Sequence, residues 1–207
     1  MTDSWGKILK EKKVITELVI SSLILASVLW ALTIFLENNE RRQGTILFDP
    51  FLSLFTPADV TWFTFIILYG ALIIGVIHLT NKPIKLILSL QFYSLLVLTR
   101  MLAMYFVALE PPPLMIPLVD PFVEFFTTGT VMKKDLFFSG HTATLFFLFL
   151  LIDKKGLKYF LFVCTVIVGG LILAQHVHYS IDVLAAPFFT YGVYRLVLLI
   201  RAKINLN

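Results

Sequence analysis

The sequence predicts an all-α integral membrane protein built as a six-transmembrane-helix bundle. Hydrophobic residues make up 58% of the 207 residues and charged residues only 14%. The mean hydropathy is +0.90. This composition is typical of membrane proteins and lies well outside the range of soluble globular domains.

Six apolar segments account for the predicted spans. A helix needs about 20 apolar residues to cross a hydrocarbon core roughly 30 Å thick, and each segment meets or approaches that length. The spans are predicted near residues 14–36, 60–80, 84–109, 136–152, 157–177 and 180–200. The first run is longer than the apolar core of a signal peptide, and no clear small-residue cleavage site follows it. We therefore expect it to remain as an anchor.

Residues 1–207 are predicted to form a single membrane domain, because no internal repeat, low-complexity tract or Gly/Ser linker divides them. Cys164 is the single cysteine and falls inside the predicted fifth span. An intramolecular disulfide and a multi-cysteine metal site are therefore excluded. The four histidines are not spaced with carboxylates in a convincing metal-ligand pattern. Neither a metal nor another cofactor is expected.

Basic residues are unevenly divided between the two sides of the predicted bundle. Alternating assignment of the connecting segments places most of them on one side, namely Lys7, Lys10, Lys12, Lys13, Lys82, Lys85, Lys154, Lys155, Lys158, Arg201 and Lys203. The other side receives Arg41, Arg42, Lys133 and Lys134. By the positive-inside rule, both termini are expected in the cytoplasm. The net charge of +4 thus reflects topology, and the lack of a basic stripe argues against nucleic-acid binding.

Two longer loops, near residues 37–59 and 110–135, fall on the outer side and are expected to form a roof over the bundle. Loops of this length are often functional. Asp120 and Glu124 lie in the second loop and could bind an ammonium head group or orient a histidine, although simple solvation is the favoured interpretation.

Two polar clusters are predicted to meet below this roof. Ser-Gly-His-Thr at 139–142 opens the predicted fourth span, within the stretch KKDLFFSGHTATLFF. The stretch QHVHYSID at 175–182 joins the predicted fifth and sixth spans on the same side. Ionisable residues at membrane depth are costly and usually mark a site. The two clusters together therefore predict a catalytic centre.

His178 and Asp182 are four residues apart, which on a continuous helix would bring them into hydrogen-bonding range. A carboxylate bonded to one imidazole nitrogen fixes the tautomer and leaves the other nitrogen able to attack. His141 would then be available as proton donor and acceptor. For His78 and His176, which have no partner at a telling spacing, an interfacial position or a helix–helix hydrogen bond is favoured.

The two clusters correspond to two motifs, Asp-x-x-x-Ser-Gly-His-Thr from Asp135 to Thr142 and His-Tyr-Ser-Ile-Asp-Val from His178 to Val183. They resemble the paired signature of the sphingomyelin synthase family, within the type 2 phosphatidate phosphatase superfamily. The segment TRMLAMYFVALEPP at 99–112 is similar to the family's segment around an intramembrane arginine, here Arg100. The resemblance covers residues 92–194, whereas the first third of the chain matches only by layout.

The resemblance implies that a phosphate-containing head group is moved between two lipids. His178 would attack a phospholipid donor, Asp182 would orient His178, and His141 would protonate the departing lipid alcohol. A phosphohistidine would then pass the head group to ceramide or diacylglycerol, after His141 deprotonates the acceptor hydroxyl. This scheme requires no metal and no cofactor.

Candidate substrate-binding residues surround these three. Arg100 is the first, because an arginine within a span costs about 2.5–3.5 kcal/mol on insertion scales unless it is paired or lies in a cavity. Snorkelling, or a bond to Glu110 or a carbonyl, is the alternative role for Arg100. Ser139 could donate to a phosphate oxygen and Gly140 permits close backbone approach. The remaining candidates are Asp135, Tyr105, Lys133 and Lys134.

Two departures from the family pattern leave the reaction open. Lys133-Lys134 stand where the synthases usually carry Cys-Gly, and Leu171-Ile172 occupy the place of a Ser-Arg pair in the phosphatase branch. A lipid phosphate phosphatase that uses the same residues with water as acceptor is therefore the alternative. A non-catalytic transporter or scaffold is a remote third alternative, since no transport repeat is visible. The oligomeric state stays open.

Overall fold

The computed structural model is a bundle of helices and describes residues 5–8, 10–119 and 132–205. Its helices are α1 (Trp5–Ile8), α2 (Lys12–Glu40), α3 (Thr61–Thr80), α4 (Pro83–Phe106), α5 (Gly140–Leu151), α6 (Lys155–Ala174) and α7 (Ser180–Asn205). A short 3₁₀ turn, Leu52–Leu54, lies between α2 and α3. The predicted all-α fold class is confirmed. Asp120 and Glu124 lie outside the described residues.

Within the described residues, five helices are long and apolar enough to cross a membrane, which supports a multi-pass membrane protein. They are α2, α3, α4, α6 and α7, with lengths of 20 to 29 residues. The predicted bounds of four of these spans agree with the helices to within a few residues at most ends. The predicted span 157–177 ends too late, because α6 stops at Ala174 and residues 175–179 form a turn.

The predicted fourth span, residues 136–152, is wrong in extent. Helix α5 has only 12 residues, or about 18 Å of helix, which is less than the hydrocarbon thickness. Residues 132–139 before it are not helical. Helix α5 starts level with Arg100, which lies about 9 Å along α4 from the end of that helix at Phe106, given the helical rise. Non-helical backbone at such a depth is tolerated only inside protein or around a cavity.

Helix α5 forms the centre of the bundle, packed mainly against α6 and α7 and also against α3 and α4. Helix α2 packs on α4 and leaves much of its apolar surface exposed. Such a surface is expected where lipid rather than water surrounds the protein. A cluster of buried hydrophobic side chains holds the bundle together and includes Phe92, Leu145, Leu148, Leu161 and Ile172.

The helices alternate in direction, so the two polar motifs meet at one end of the bundle. We call this end, defined by residues 132–139 and 175–179, the site end. At the opposite end, Lys85 donates to the carbonyl of Leu151 at 3.1 Å and pairs with Asp153. There Arg201 of α7 also bonds Glu17 of α2 at 2.8 Å. These contacts tie the helices together at the end that lacks the motifs.

Candidate active site

The site begins where Ser139 caps helix α5. Its hydroxyl oxygen accepts a 3.4 Å hydrogen bond from the amide of Thr142 and also lies 3.2 Å from the Thr142 hydroxyl. A serine that accepts from the amide three residues later is a common helix N-cap. Its own amide donates to the carbonyl of Asp182 at 3.1 Å. The first motif is thereby attached directly to the second.

The second motif is presented by the turn that ends α6. The amide of His176 donates to Leu173 and the amide of Val177 to Ile172, both at 2.9 Å. This pair of bonds is a Schellman motif, whose C′ residue is usually glycine because it adopts positive φ. His176 fills that position with φ 57° and packs edge-on against Phe55 at 5.1 Å. His176 thus packs against the segment between α2 and α3.

His178 emerges from this turn, and its Nδ1 lies 3.3 Å from Oδ2 of Asp182. The predicted contact is present, although the two residues do not share a continuous helix, because α7 begins at Ser180. The same carboxylate oxygen accepts the amide of Tyr179 at 3.1 Å. His178 and Asp182 are 1% and 0% exposed. An Nδ1–H donated to Asp182 leaves Nε2 of His178 as the nitrogen available to a substrate.

His141, the second residue of α5, lies opposite His178. The two ring centroids are 6.2 Å apart and the rings are inclined at 70°. Both histidines line the same cavity. The structure therefore brings together the three residues predicted as catalytic. The imidazoles of His141 and His178 face each other, and the Asp182 carboxylate contacts His178.

Arg100 lies beside the histidines and is only 7% exposed. Its Nε donates to the carbonyl of Phe138 at 3.0 Å and its Nη2 donates to Asp135 at 2.6 Å. Of the two alternative partners predicted for Arg100, a carbonyl is present and Glu110 is not; Glu110 pairs with Lys134 at 2.7 Å. The buried cation is thus held by the residues that lead into α5.

The position of Arg100 explains why residue 140 is a glycine. A Cβ atom at Gly140 would lie 2.7 Å from both Cζ and Nη1 of Arg100, closer than atoms in contact can come. The predicted close backbone approach is present, but its partner in the structure is the guanidinium of Arg100. The amino end of α5, which attracts anions, and a buried cation therefore lie side by side.

A cavity of about 290 Å³ connects these groups. Its polar lining includes six residues singled out in the sequence, namely Arg100, Lys133, Asp135, Gly140, His141 and His178. Its apolar lining includes Leu32 and Leu36 of α2 and Leu68 and Leu72 of α3. A cavity with an apolar wall and a few convergent polar groups is the usual form of a small-molecule site.

Three predicted substrate-binding residues do not line this cavity. Ser139 is 0% exposed and acts as a helix cap. Lys134 donates to Glu110 and to the carbonyl of Arg42 at 2.6 Å. Tyr105 is 57% exposed, with the Arg42 guanidinium 5.1 Å from its ring. The structure thus separates these side chains from the other candidates.

The sequence missed Asp49, which holds the start of α7. Its Oδ2 accepts the amide of Ser180 at 2.6 Å and its Oδ1 accepts the Ser180 hydroxyl at 3.1 Å. Burial raises the pKa of Asp49, but hydrogen bonds from Ser180, Leu52 and Phe51 outweigh it and leave the pKa lowered. Asp49 and Ser180 are 131 residues apart, so no local pattern could have revealed the pair.

Tyr179 and Gln175 attach the two longer loops to the same turn. The Tyr179 hydroxyl donates to the carbonyl of Glu110 at 2.9 Å and accepts the amide of Leu47 at 3.2 Å. Burial raises the pKa of Tyr179, which keeps the hydroxyl neutral and able to donate. The Gln175 side chain accepts the amide of Val60 at 3.1 Å. Leu47 and Glu110, one from each loop, are therefore both hydrogen-bonded to the turn that carries His178.

No group of three or more His, Cys, Asp or Glu side chains suited to hold a metal ion occurs among residues 5–8, 10–119 and 132–205. The chemistry described below uses only the side chains of this chain.

Comparison with known families gives a match to part of the chain. Residues 134–198 match the family model described as PAP2 superfamily C-terminal. The matched segment contains His141, His178 and Asp182 and does not reach Arg100. Comparison with the curated proteins and with the solved structures gives no significant match. The family match supports the type 2 phosphatidate phosphatase superfamily, and with it an enzyme of the lipid phosphatase or phosphotransferase kind.

Proposed function

We propose that the protein is a lipid phosphotransferase that moves a phosphate-containing head group from one lipid to another through a phosphohistidine on His178. The arrangement around His178 carries this proposal. One ring nitrogen lies 3.3 Å from the Asp182 carboxylate, and a second imidazole, His141, lies across the cavity at 6.2 Å between ring centroids. A nucleophile oriented by one group and facing an acid-base group is the arrangement that covalent catalysis requires.

In the first step, Nε2 of His178 attacks the phosphorus of a phospholipid donor. A nitrogen–phosphorus bond forms while the bond between phosphorus and the oxygen of the donor's lipid alcohol breaks. The departing oxygen takes a proton from His141, which must enter the step protonated. Asp182 stabilises the positive charge that develops on the His178 ring. A diacylglycerol leaves, and the head group stays on His178.

In the second step, a lipid alcohol such as ceramide or diacylglycerol enters the cavity. His141, now neutral, takes the proton of the acceptor hydroxyl, and the oxygen attacks phosphorus. The nitrogen–phosphorus bond breaks and returns its electron pair to His178. His141 is again protonated, so the cycle closes without a cofactor.

Arg100 is assigned to bind the negatively charged phosphate of the substrate. A buried guanidinium beside a helix amino end provides two fixed positive features that face the same cavity. Asp135 holds the guanidinium in place and, because it lines the cavity itself, is positioned to meet a cationic head group. Lys133 lines the same cavity and adds a further positive charge near the entrance.

The apolar lining favours a lipid acceptor over water. Leucines from α2 and α3 form the cavity wall beside the histidines, and such a wall admits acyl chains while it limits hydration. Hydrolysis by the same residues is the second candidate function, because the matched superfamily includes phosphatases. The two candidates share every step up to the phosphohistidine and differ only in the acceptor.

We also propose that the site opens to the outer side of the membrane, whether extracellular, periplasmic or lumenal, with both termini in the cytoplasm. The lysine-rich segments support this orientation, because they lie at the end of the bundle opposite the histidines.

Labelled lipids test the reaction directly. Purified protein in liposomes receives phospholipids with a labelled head group, together with ceramide or diacylglycerol. A new labelled lipid that is absent with His178→Ala protein supports the transferase. Free phosphate or free phosphorylated head group as the main product, whichever acceptor is present, shifts the assignment to the phosphatase. Products that persist with His178→Ala protein contradict both.

A further inference from the structure

The cavity contains a second polar feature, which the chemistry at His178 does not use. Tyr93 of α4 and Thr144 of α5 both line the cavity, and their hydroxyl oxygens lie 3.3 Å apart. We call these two side chains the hydroxyl pair. It bridges two helices that also carry Arg100 and His141.

The hydroxyl pair lies deeper in the bundle than the reacting groups. Thr144 follows His141 by about one turn, or roughly 4.5 Å of helix, and Tyr93 precedes Arg100 by about two turns, or roughly 10 Å. Both displacements lead away from the site end. A lipid whose phosphate lay between Arg100 and His141 would therefore bring the linkage of its acyl chains, and not its head group, to the depth of the pair.

The hydrogen bonding of the pair is incomplete. Each hydroxyl has one proton to donate and can also accept. The mutual bond uses one of the two protons, and neither hydroxyl makes another hydrogen bond within the part of the chain that the structure describes. An unsatisfied donor is costly in an apolar environment. One proton of the pair therefore remains for an acceptor that enters the cavity.

We propose that the hydroxyl pair binds the acyl carbonyl oxygen of the lipid substrate. A carbonyl only accepts hydrogen bonds, so it complements a pair with one proton to spare. Tyr93 is assigned as the donor to the lipid and Thr144 as the donor to Tyr93, because a phenol is the more acidic hydroxyl. The leucine wall formed by α2 and α3 begins at the same cavity and accommodates the chains beyond the carbonyl.

This inference rests on the proposed function, since it places the lipid phosphate beside Arg100. The carbonyl subsite would also make the protein discriminate between lipid classes. Lipids with ester or amide linkages carry the required carbonyl, whereas ether-linked lipids do not.

An ester lipid and an ether lipid of equal chain length test the subsite. Dioctanoyl phosphatidic acid and its dioctyl ether analogue share the phosphate and differ in the two carbonyls. Their binding to full-length His178→Ala protein, in which the proposed turnover is blocked, is measured by calorimetry in detergent. We expect the ester lipid to bind about two- to tenfold more tightly, as one net hydrogen bond allows.

Removal of the hydroxyls should abolish this preference. In the His178→Ala background, Tyr93→Phe should lose most of it, because the remaining threonine can bond to a carbonyl of its own helix. The double variant Tyr93→Phe/Thr144→Val should lose the whole preference. It should bind both lipids with the affinity that the parent protein has for the ether lipid. Tyr159→Phe is the matched control, because Tyr159 is 71% exposed on α6, and it should keep the preference.

Equal binding of the two lipids by the parent protein, or a preference that survives in the double variant, overturns the carbonyl subsite alone. The phosphate site would then still stand. Failure of both lipids to bind, or binding that Arg100→Ala leaves unchanged, overturns the phosphate site and with it both this inference and the proposed function.

Discussion

The amide of Ser139 donates a 3.1 Å hydrogen bond to the carbonyl oxygen of Asp182. This bond joins the residue before α5 to the first turn of α7, so main-chain atoms fix the distance between His141 and His178. The side chains of the three candidate catalytic residues take no part in this bond. Their substitution should therefore change the chemistry and leave the backbone in place.

The first prediction concerns the three candidate catalytic residues. His178→Ala and His141→Ala should each reduce transfer to near background, because one removes the nucleophile and the other the acid-base group. Asp182→Asn should reduce it by about 10⁴-fold, the loss known for the orienting carboxylate of a Ser-His-Asp triad. Transfer rates in liposomes and gel filtration provide the measurements. His78→Ala is the control and should retain activity, since His78 does not line the cavity. A folded His178→Ala protein with substantial turnover would exclude the proposed nucleophile.

The second prediction is an energetic coupling between Gly140 and Arg100. Gly140→Ala places a methyl group against the guanidinium, so activity should fall by at least about tenfold, the equivalent of one disturbed charge-assisted hydrogen bond. Arg100→Ala should then reduce activity by a smaller factor in the Gly140→Ala variant than in the wild type, because the two changes disrupt the same contact. Gly170→Ala, where a Cβ meets nothing within 4 Å, is the control. Additive losses would show that the contact is unimportant.

The third prediction separates the shape of Arg100 from its charge. Lysine cannot bond the Phe138 carbonyl and Asp135 at once and still face a phosphate, because it lacks the planar fork of arginine. Arg100→Lys should therefore lower the transfer rate by roughly 10- to 100-fold, which corresponds to the loss of a hydrogen bond to a charged group. Rates with Arg100→Lys that match the wild type would mean that charge alone is needed.

The fourth prediction concerns acid stability through Asp49. The pKa of Asp49 is lowered in the folded protein because hydrogen bonds from Ser180, Leu52 and Phe51 outweigh burial. A lowered folded pKa contributes stability above the ordinary value of 3.8, and this contribution is lost as the pH falls. The unfolding temperature in detergent should therefore drop between about pH 5 and pH 3, and less so in Asp49→Asn protein. Glu37→Gln, at an exposed position on α2, should behave as the wild type. Identical pH profiles for Asp49→Asn and wild type would contradict the role of this carboxylate.

The fifth prediction tests the orientation in the membrane. After Cys164→Ala removes the native thiol, single cysteines at the exposed positions Ser53 and Pro113 should react with an impermeant reagent applied outside intact cells. Cysteines at Lys10 and Lys155 should react only after permeabilisation. Labelling in the reverse order would place the histidines on the cytoplasmic side.

The sequence was sufficient to predict the helical class and the contact between His178 and Asp182. Both depend on local properties, namely the length of apolar runs and a spacing of four residues. The start of α5 was mispredicted because Leu136, Phe137 and Phe138 continue the apolar run, and hydropathy does not distinguish extended residues from helical ones. The cap at Ser139 was a better marker of the helix start than hydrophobicity.

Partners distant in the sequence could not be predicted. The sequence indicates that Arg100 needs a partner and suggests Glu110 or a carbonyl; the carbonyl of Phe138 is such a partner, whereas Glu110 is not and Asp135 was not predicted. Which residue pairs with Arg100 depends on how α4 packs against the segment before α5. Asp49 and the Tyr93–Thr144 contact were missed for the same reason, because each joins elements whose arrangement only the folded bundle defines.

In the proposed reaction, the late start of α5 also determines how far a lipid phosphate must move to reach Arg100. Arg100 lies about 9 Å below the end of α4, whereas phospholipid phosphates occupy the surface of a leaflet. The phosphate must therefore sink into the bundle, and the chains beneath it must tilt or compress. A thinner leaflet brings its phosphate plane closer to Arg100 and reduces this displacement. For the proposed reaction we therefore expect faster transfer in bilayers of short-chain lipids than in thick ones, so that membrane thickness would set its rate.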